Sequence, residues 1–155
     1  PRLASDMEAL RFLFSSKEPP CREIRGTVVV EVFCGFGDAS KTGFCTNFEV
    51  DGSIQHRCGH WCDETSEESS NYRELKNLVD GLEQQIKAGR IVGAEVFLFT
   101  DNSTAEAVYC KGNSSSKKLF ELMLRLRKLE MDAHLSRHVI QVAGTRMIGE
   151  GADGG

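Results

Sequence analysis

The sequence predicts an α/β fold: a mixed five-stranded sheet of three antiparallel strands plus two parallel ones, with helices packed on it. Three observations carry that expectation. Stretches 27–36, 43–50 and 54–61 are rich in strand formers. Asp51-Gly52, between the last two, is a hairpin signal because both turn residues must tolerate positive φ. Val96 to Thr100 is a short apolar run of the kind buried on both faces of a sheet. Stretches of helical period then separate the later strands, as parallel pairing through crossovers requires.

Taken in order, Leu3, Met7, Leu10 and Phe14 fall at helical spacing, with Ser5 or Asp6 as a cap. Residues 5–15 are therefore expected to form an amphipathic helix, ended by the stiff Pro19-Pro20 link. That helix is either a docking element for an upstream domain or part of the core. The expected division is 1–26, helix and Pro linker, and 27–155, the sheet domain. The first strand is expected to run on towards Asp38. Residues 62–70 read as a polar, acidic loop closed by Ser69-Ser70, which cap a helix over 71–88. Leu75, Leu78, Val79, Leu82 and Ile86 mark the buried face of that helix, and Gly89 its end. Strand 95–100 runs into Asp101-Asn102-Ser103-Thr104, capping side chains that open a short helix to Cys110. After a Gly/Asn/Ser loop over 111–116, a second long helix spans 117–131. Phe120, Leu122, Met123, Leu124, Leu126 and Leu129 form its stripe, and Glu121–Arg125 is an i,i+4 pair. His138 to Val142 is the last strand, and 144–155 is Gly-rich.

A chain of 155 residues is one domain, large enough to bury about two-thirds of its unfolded surface. At 40% hydrophobic and 27% charged it belongs with globular proteins. No apolar run reaches the ~18 residues a membrane span needs, and no signal-peptide layout is present, so an intracellular location without a membrane partner is expected. Position 1 is Pro, and the chain is expected to be a segment of a longer one. A core of this size needs no disulfide framework, so the six cysteines are expected to be reduced. The net charge of −4 hides an asymmetry: from Lys111 to Arg146, eight basic residues face three acidic ones, a local +5. That stretch either faces phosphates or is a solvated helix face.

Open α/β sheets place ligands at the C-terminal edge of central strands, where Asp101 stands. Taken alone, Asp101 is equally an N-cap. Three further acids shift that balance: Asp38 at the end of the first strand, Glu74 in the first turn of the long helix, and Asp153 in the tail. Singly they read as a turn residue, an acid favoured by the helix dipole, and a solvated tail residue. Brought together, four carboxylates repel unless something divalent holds them, and oxygen-only ligands with open positions suit Mg²⁺ or Mn²⁺. Two such ions about 3.5–4 Å apart can activate water and stabilise the leaving oxygen of a phosphodiester.

Four stretches carry a family resemblance: Gly37-Asp38-Ala39-Ser40; Ser69-Ser70-Asn71-Tyr72-Arg73-Glu74-Leu75; Phe99-Thr100-Asp101-Asn102-Ser103-Thr104-Ala105; and His138 to Ile148, ending in Gly151-Ala152-Asp153-Gly154. From about Thr27 onward the chain resembles the ribonuclease H domain of reverse transcriptases, in wording most like that of DIRS-type tyrosine-recombinase retroelements. The resemblance implies hydrolysis of the RNA strand of an RNA–DNA hybrid with two Mg²⁺ or Mn²⁺ ions, leaving 5′-phosphate and 3′-hydroxyl ends. Asp38 would bridge both ions, Asp153 would complete the nucleophile-side ion, and Glu74 and Asp101 would hold the leaving-group ion. Ser40, Asn71 and Asn102 are the nearest polar groups for 2′-hydroxyl contacts. Where many members carry a histidine in the loop before the last acid, this chain reads Gly144-Thr145-Arg146, and Arg146 is expected to contact phosphate instead. An upstream polymerase domain of the same polyprotein is the expected partner.

Two other functions fit the same pattern. One is a different nuclease on this fold acting on DNA, such as an integrase or junction resolvase; the other is a connection domain whose hydrolysis has decayed. His56, Cys58, His60 and Cys62 alternate along one strand face, but ligands so close on one strand cannot all reach one tetrahedral ion, so no zinc site is expected.

Overall fold

A computed structural model describes residues 2–15, 31–50, 52–112 and 114–145. The chain divides into two compact units, Pro1–Val30 and Glu31–Gly155. In the first, helix α1 (Arg2–Leu13) begins three residues earlier than its apolar spacing suggested. Leu3, Met7, Leu10 and Phe14 are all exposed.

The second unit is the sheet domain. Strands β1 (Val32–Ala39), β2 (Gly43–Val50) and β3 (Ser53–His60) are followed by a short helix α2 (Asp63–Ser66) and the long helix α3 (Ser70–Lys87). Then come β4 (Glu95–Thr100), α4 (Ser103–Lys111), α5 (Lys117–Asp132) and β5 (Ser136–Gln141). The sheet order is β3-β2-β1-β4-β5: β1 pairs antiparallel with β2 and parallel with β4, and β5 pairs parallel with β4. The mixed five-stranded sheet expected from sequence is therefore present, with β1 at its centre.

Boundaries moved for local reasons. The expected start of the first strand, 27–30, lies outside the described residues. The last strand starts two residues early because the Ser136 N–H donates to the Ala94 carbonyl at 2.9 Å. Residues expected to be loop form α2, whose first turn holds Asp63 and Glu64, acids favoured at a helix N-terminus. The expected caps are borne out at Ser69, whose hydroxyl accepts from the Tyr72 N–H at 3.3 Å, and at Gly89, which ends α3 with a φ of +70°.

Helices α3 and α5 cover one face, where Leu75, Leu78, Leu82 and Leu126 pack with Phe48, Val96 and Leu98, each almost wholly buried. Close approach at the centre depends on Gly35: a Cβ there would lie 2.5 Å from the Phe48 ring and 3.0 Å from Leu98 Cδ2. Gly35→Ala is therefore expected to cost about 1–3 kcal/mol through overpacking, read as a lowered urea midpoint at unchanged slope. The other face carries stacked ring pairs, Phe36–Phe99 and Phe97–His138, each with centroids 4.7 Å apart.

Two expectations fail. The cysteines are not all reduced: Cys45 and Cys58 form a disulfide, while Cys62 and Cys110 are free thiols. The β2–β3 register places Cys45 opposite Cys58 with Cα atoms 4.1 Å apart, so hairpin geometry, not a shortage of core, brings them together. Nor does Arg125 pair with Glu121. It reaches across to α3, to Asp80 at 2.9 Å and to Glu83, while Glu121 takes Lys117 at 3.7 Å. Lys118 pairs with Glu68, and Arg127 and the fully buried Arg137 share Glu130 at 2.9 and 3.1 Å. Lys118 and Arg125 thus take acids from outside that stretch and offset part of its local +5.

Candidate functional site

The site forms where β1 outruns β4. The β1–β4 ladder ends at Phe36↔Phe99, three residues before β1 does. Past that point the Ala39 N–H is taken by carboxylates, Asp38 Oδ1 at 2.8 Å and Glu74 Oε1 at 3.2 Å. Gly37 faces α3, since a Cβ there would lie 2.7 Å from Leu78 Cδ2; strand alternation then turns Asp38 towards the opposite face. Glu74 reaches the same point from the buried face of α3, and Asp101 enters directly after the last residue of β4.

Asp38, Glu74 and Asp101 each offer a carboxylate oxygen within 4.8 Å of the others. Among the described residues they are the one group of three or more acids, histidines or cysteines drawn together this way. Their burial differs: Glu74 is only 6% exposed, Asp38 is half-buried and Asp101 is exposed. Burial, together with the charges of Asp38 and Asp101, pushes the Glu74 carboxyl up to about 8. Glu74 Oε2 is buried and accepts no hydrogen bond. A buried acceptor without a donor, beside two like charges, is an arrangement that a divalent cation would relieve. The donor set is all oxygen, which suits Mg²⁺ or Mn²⁺ rather than a soft metal.

Of the other expected site residues, Ser40 closes the β1–β2 turn, its hydroxyl accepting from the Gly43 N–H at 3.0 Å. Asn102, rather than Asp101, caps α4, its Oδ1 accepting from the Ala105 N–H at 3.0 Å. Its Nδ2 donates to Asn71 Oδ1 at 2.9 Å, tying the start of α4 to the first turn of α3. That bond uses the oxygen of Asn71 and leaves its amide N–H groups for another acceptor. Asp153 and Arg146 lie outside the described residues. The segment that leads towards them leaves from beside the acids, for a Cβ on Gly144 would lie 3.2 Å from Asp101 Oδ2.

The alternating His/Cys face does not form a metal cluster. His56 Nδ1 lies 2.8 Å from Asn47 Oδ1, Cys58 is bonded to Cys45, and Cys62 lies beyond the strand, beside Thr65. Sequence reasoning missed Asn77, a wholly buried amide one turn after Glu74 whose Nδ2 donates to the Asp38 and Cys45 carbonyls at 2.8 and 2.7 Å. A polar residue among Leu75, Leu78 and Val79 on a buried helix face was the available signal.

No family model matches the chain, and no curated protein matches it. Solved structures do resemble it. The ribonuclease H1 of the halophilic archaeon Halobacterium salinarum is 19% identical, over 79% of this chain and 92% of that one, with a TM-score of 0.59. The LC11 ribonuclease H1, solved with an RNA/DNA hybrid, is 15% identical over 74% of this chain and 86% of its own, with a TM-score of 0.57. The foamy viral protease–reverse transcriptase, also solved with an RNA/DNA hybrid, matches 89% of this chain and 22% of its own at 11% identity, with a TM-score of 0.52. The mixed sheet, its strand order and its helices are those of the ribonuclease H fold.

Proposed function

We propose that the chain is an endoribonuclease that hydrolyses the RNA strand of RNA–DNA hybrids with two Mg²⁺ or Mn²⁺ ions. The observation that carries this reading is the convergence of Asp38, Glu74 and Asp101 at the end of the central strands, with an unsatisfied carboxylate oxygen buried among them. Asp38, Glu74 and Asp101 hold the ions, and Asp153, nine residues beyond Gly144, completes the set. Bound there, two cations supply an activated water and charge stabilisation for the leaving 3′-oxygen. The protein's own part is to fix the carboxylates, keep Glu74 out of water, and present polar groups to the hybrid's minor groove. Asn71 is the best placed of those groups, with Asn102 bonded to it; Ser40 is proposed as a further minor-groove contact and Arg146 as a phosphate contact.

The sheet domain, 27–155, with its preceding helix and Pro linker, 1–26, is proposed to belong to a reverse transcriptase of a DIRS-type retroelement, working beside an upstream polymerase domain. The motif wording and the fold shared with a viral reverse transcriptase support this. No helix among the described residues is long and apolar enough to cross a membrane.

The test is cleavage of end-labelled substrates in Mg²⁺. The hybrid should be cut in its RNA strand, leaving 5′-phosphate ends, while RNA duplex and DNA duplex stay whole. Cutting of DNA duplex or four-way junctions with the hybrid intact would move the chain to another nuclease class.

A further inference from the structure

We infer that Asn77 is a positioning residue that sets the separation of Asp38 and Glu74. The inference rests on reading the three acids as a divalent-cation site, and adds to it a residue that touches neither cation nor substrate.

Asn77 is wholly buried on the sheet-facing side of α3, one turn after Glu74. Its Nδ2 donates to the Asp38 carbonyl at 2.8 Å and the Cys45 carbonyl at 2.7 Å. Its Oδ1 accepts from Thr46 Oγ1 at 2.6 Å and Arg57 Nη1 at 3.0 Å. Both amide hydrogens and both oxygen lone pairs are therefore used, the full capacity of the group. Only one rotamer and one amide orientation satisfy that set.

The geometry gives this network a consequence for the acids. The peptide group between Asp38 and Ala39 is held at both ends by α3: its carbonyl accepts from Asn77, and its N–H donates to Glu74 Oε1 at 3.2 Å. Residues three apart on a helix share a face, so Glu74 and Asn77 act on that peptide as one clamp. Asp38 and Cys45 are register partners, so the same amide also fixes β2 against β1 at the level of the site. Gly37 makes room for it: a Cβ there would lie 3.2 Å from Asn77 Nδ2. Once Glu74 is ionised, as cation binding requires, it and Asp38 repel each other unless the cation lies between them, and the Asn77 bond opposes their separation. Without it, α3 is free to slide outward, and the carboxylates lose the spacing that a small, geometrically strict cation demands.

The experiment is calorimetric titration of Mn²⁺ into wild type, Asn77→Ala, Asn77→Ser and Thr46→Val, at a temperature where circular dichroism shows each fully folded. Thr46→Val removes a bond to the same amide but leaves the Asp38 carbonyl held, so it reports the cost of disturbing the network alone. The expected result is a Kd for Mn²⁺ raised about tenfold by Asn77→Ala, less by Asn77→Ser, and within twofold of wild type for Thr46→Val. Equal weakening in Asn77→Ala and Thr46→Val, or Mn²⁺ uptake by Asn77→Ala within twofold of wild type, overturns the inference. Failure of both Asn77 variants to fold while Thr46→Val folds makes Asn77 purely a stability residue and also overturns it. A wild-type chain that takes up no Mn²⁺ removes the three acids as a cation site, and this inference with them.

Discussion

Asp38→Asn is expected to lower Mg²⁺-dependent cleavage of an RNA–DNA hybrid by about a thousandfold or more while leaving the fold intact. Cations at such a site supply several kcal/mol of charge stabilisation, and each ~1.4 kcal/mol is a tenfold change in rate. Asp38 stands nearest the centre of the arrangement: its carboxylate shares the Ala39 N–H with Glu74, and its charge helps hold the Glu74 proton. An amide in its place keeps an oxygen for Ala39 but loses the charge. The fold survives because the amide oxygen still accepts from the Ala39 N–H, while the like charge beside Glu74 is removed. In EDTA the melting temperature of Asp38→Asn should equal or exceed that of wild type. Asp101→Asn should behave alike in cleavage, with a smaller rise in stability because Asp101 is exposed. Asp63→Asn, an exposed acid in the first turn of α2, should stay within twofold of wild type and controls for general charge effects. Metal-independent cleavage of equal rate in Asp38→Asn and Asp101→Asn would sink the proposed chemistry.

The sequence exposed the sheet more fully than the site. The hairpin, the buried strand into Asp101 and the two long amphipathic helices were legible because each rests on a local period or turn requirement, and those requirements agreed with one topology. Asp38, Glu74 and Asp101 could be nominated because topology alone places strand ends and the following helix together. What was not legible depends on contacts across the fold. Cys45 and Cys58 are thirteen residues apart, and only the β2–β3 register shows that they face each other. Arg125 lies four residues from Glu121 on one helix, yet Asp80 and Glu83 on α3 offer it two carboxylates at once, so the tertiary partners win. Asn77 reads as a blemish on an apolar helix face until its four partners, drawn from both β1 and β2 and from the Arg57 side chain, are seen together. Asn102 and Asp101 are neighbours with equal capping ability; the strand's exit direction decides that Asn102 caps α4 and Asp101 faces the other acids.

The raised carboxyl of Glu74 makes stability itself a reporter of the site. In the folded chain this group holds its proton up to about 8, against 4.5 when the chain is unfolded. The folded state therefore binds more protons than the unfolded state between those values. Its contribution to stability is fully present below about 4.5 and is lost as pH rises through about 8. That interval corresponds to at most about 5 kcal/mol at ~1.4 kcal/mol per pH unit. Without divalent cation, the melting temperature should accordingly fall by roughly 10 °C between pH 5 and pH 9. Glu74→Gln cannot ionise, so in that variant most of this fall should disappear. A divalent cation favours the charged carboxylate instead. Mn²⁺ affinity should therefore rise with pH, approaching tenfold per unit below about 8, and saturating Mn²⁺ should remove the alkaline loss of stability in wild type. Differential scanning calorimetry across pH, in EDTA and in Mn²⁺, reads all of these quantities. Parallel pH profiles for wild type and Glu74→Gln in EDTA would mean that Glu74 is already ionised in the cation-free chain. The unsatisfied oxygen among the acids would then be held by something other than a waiting proton or cation.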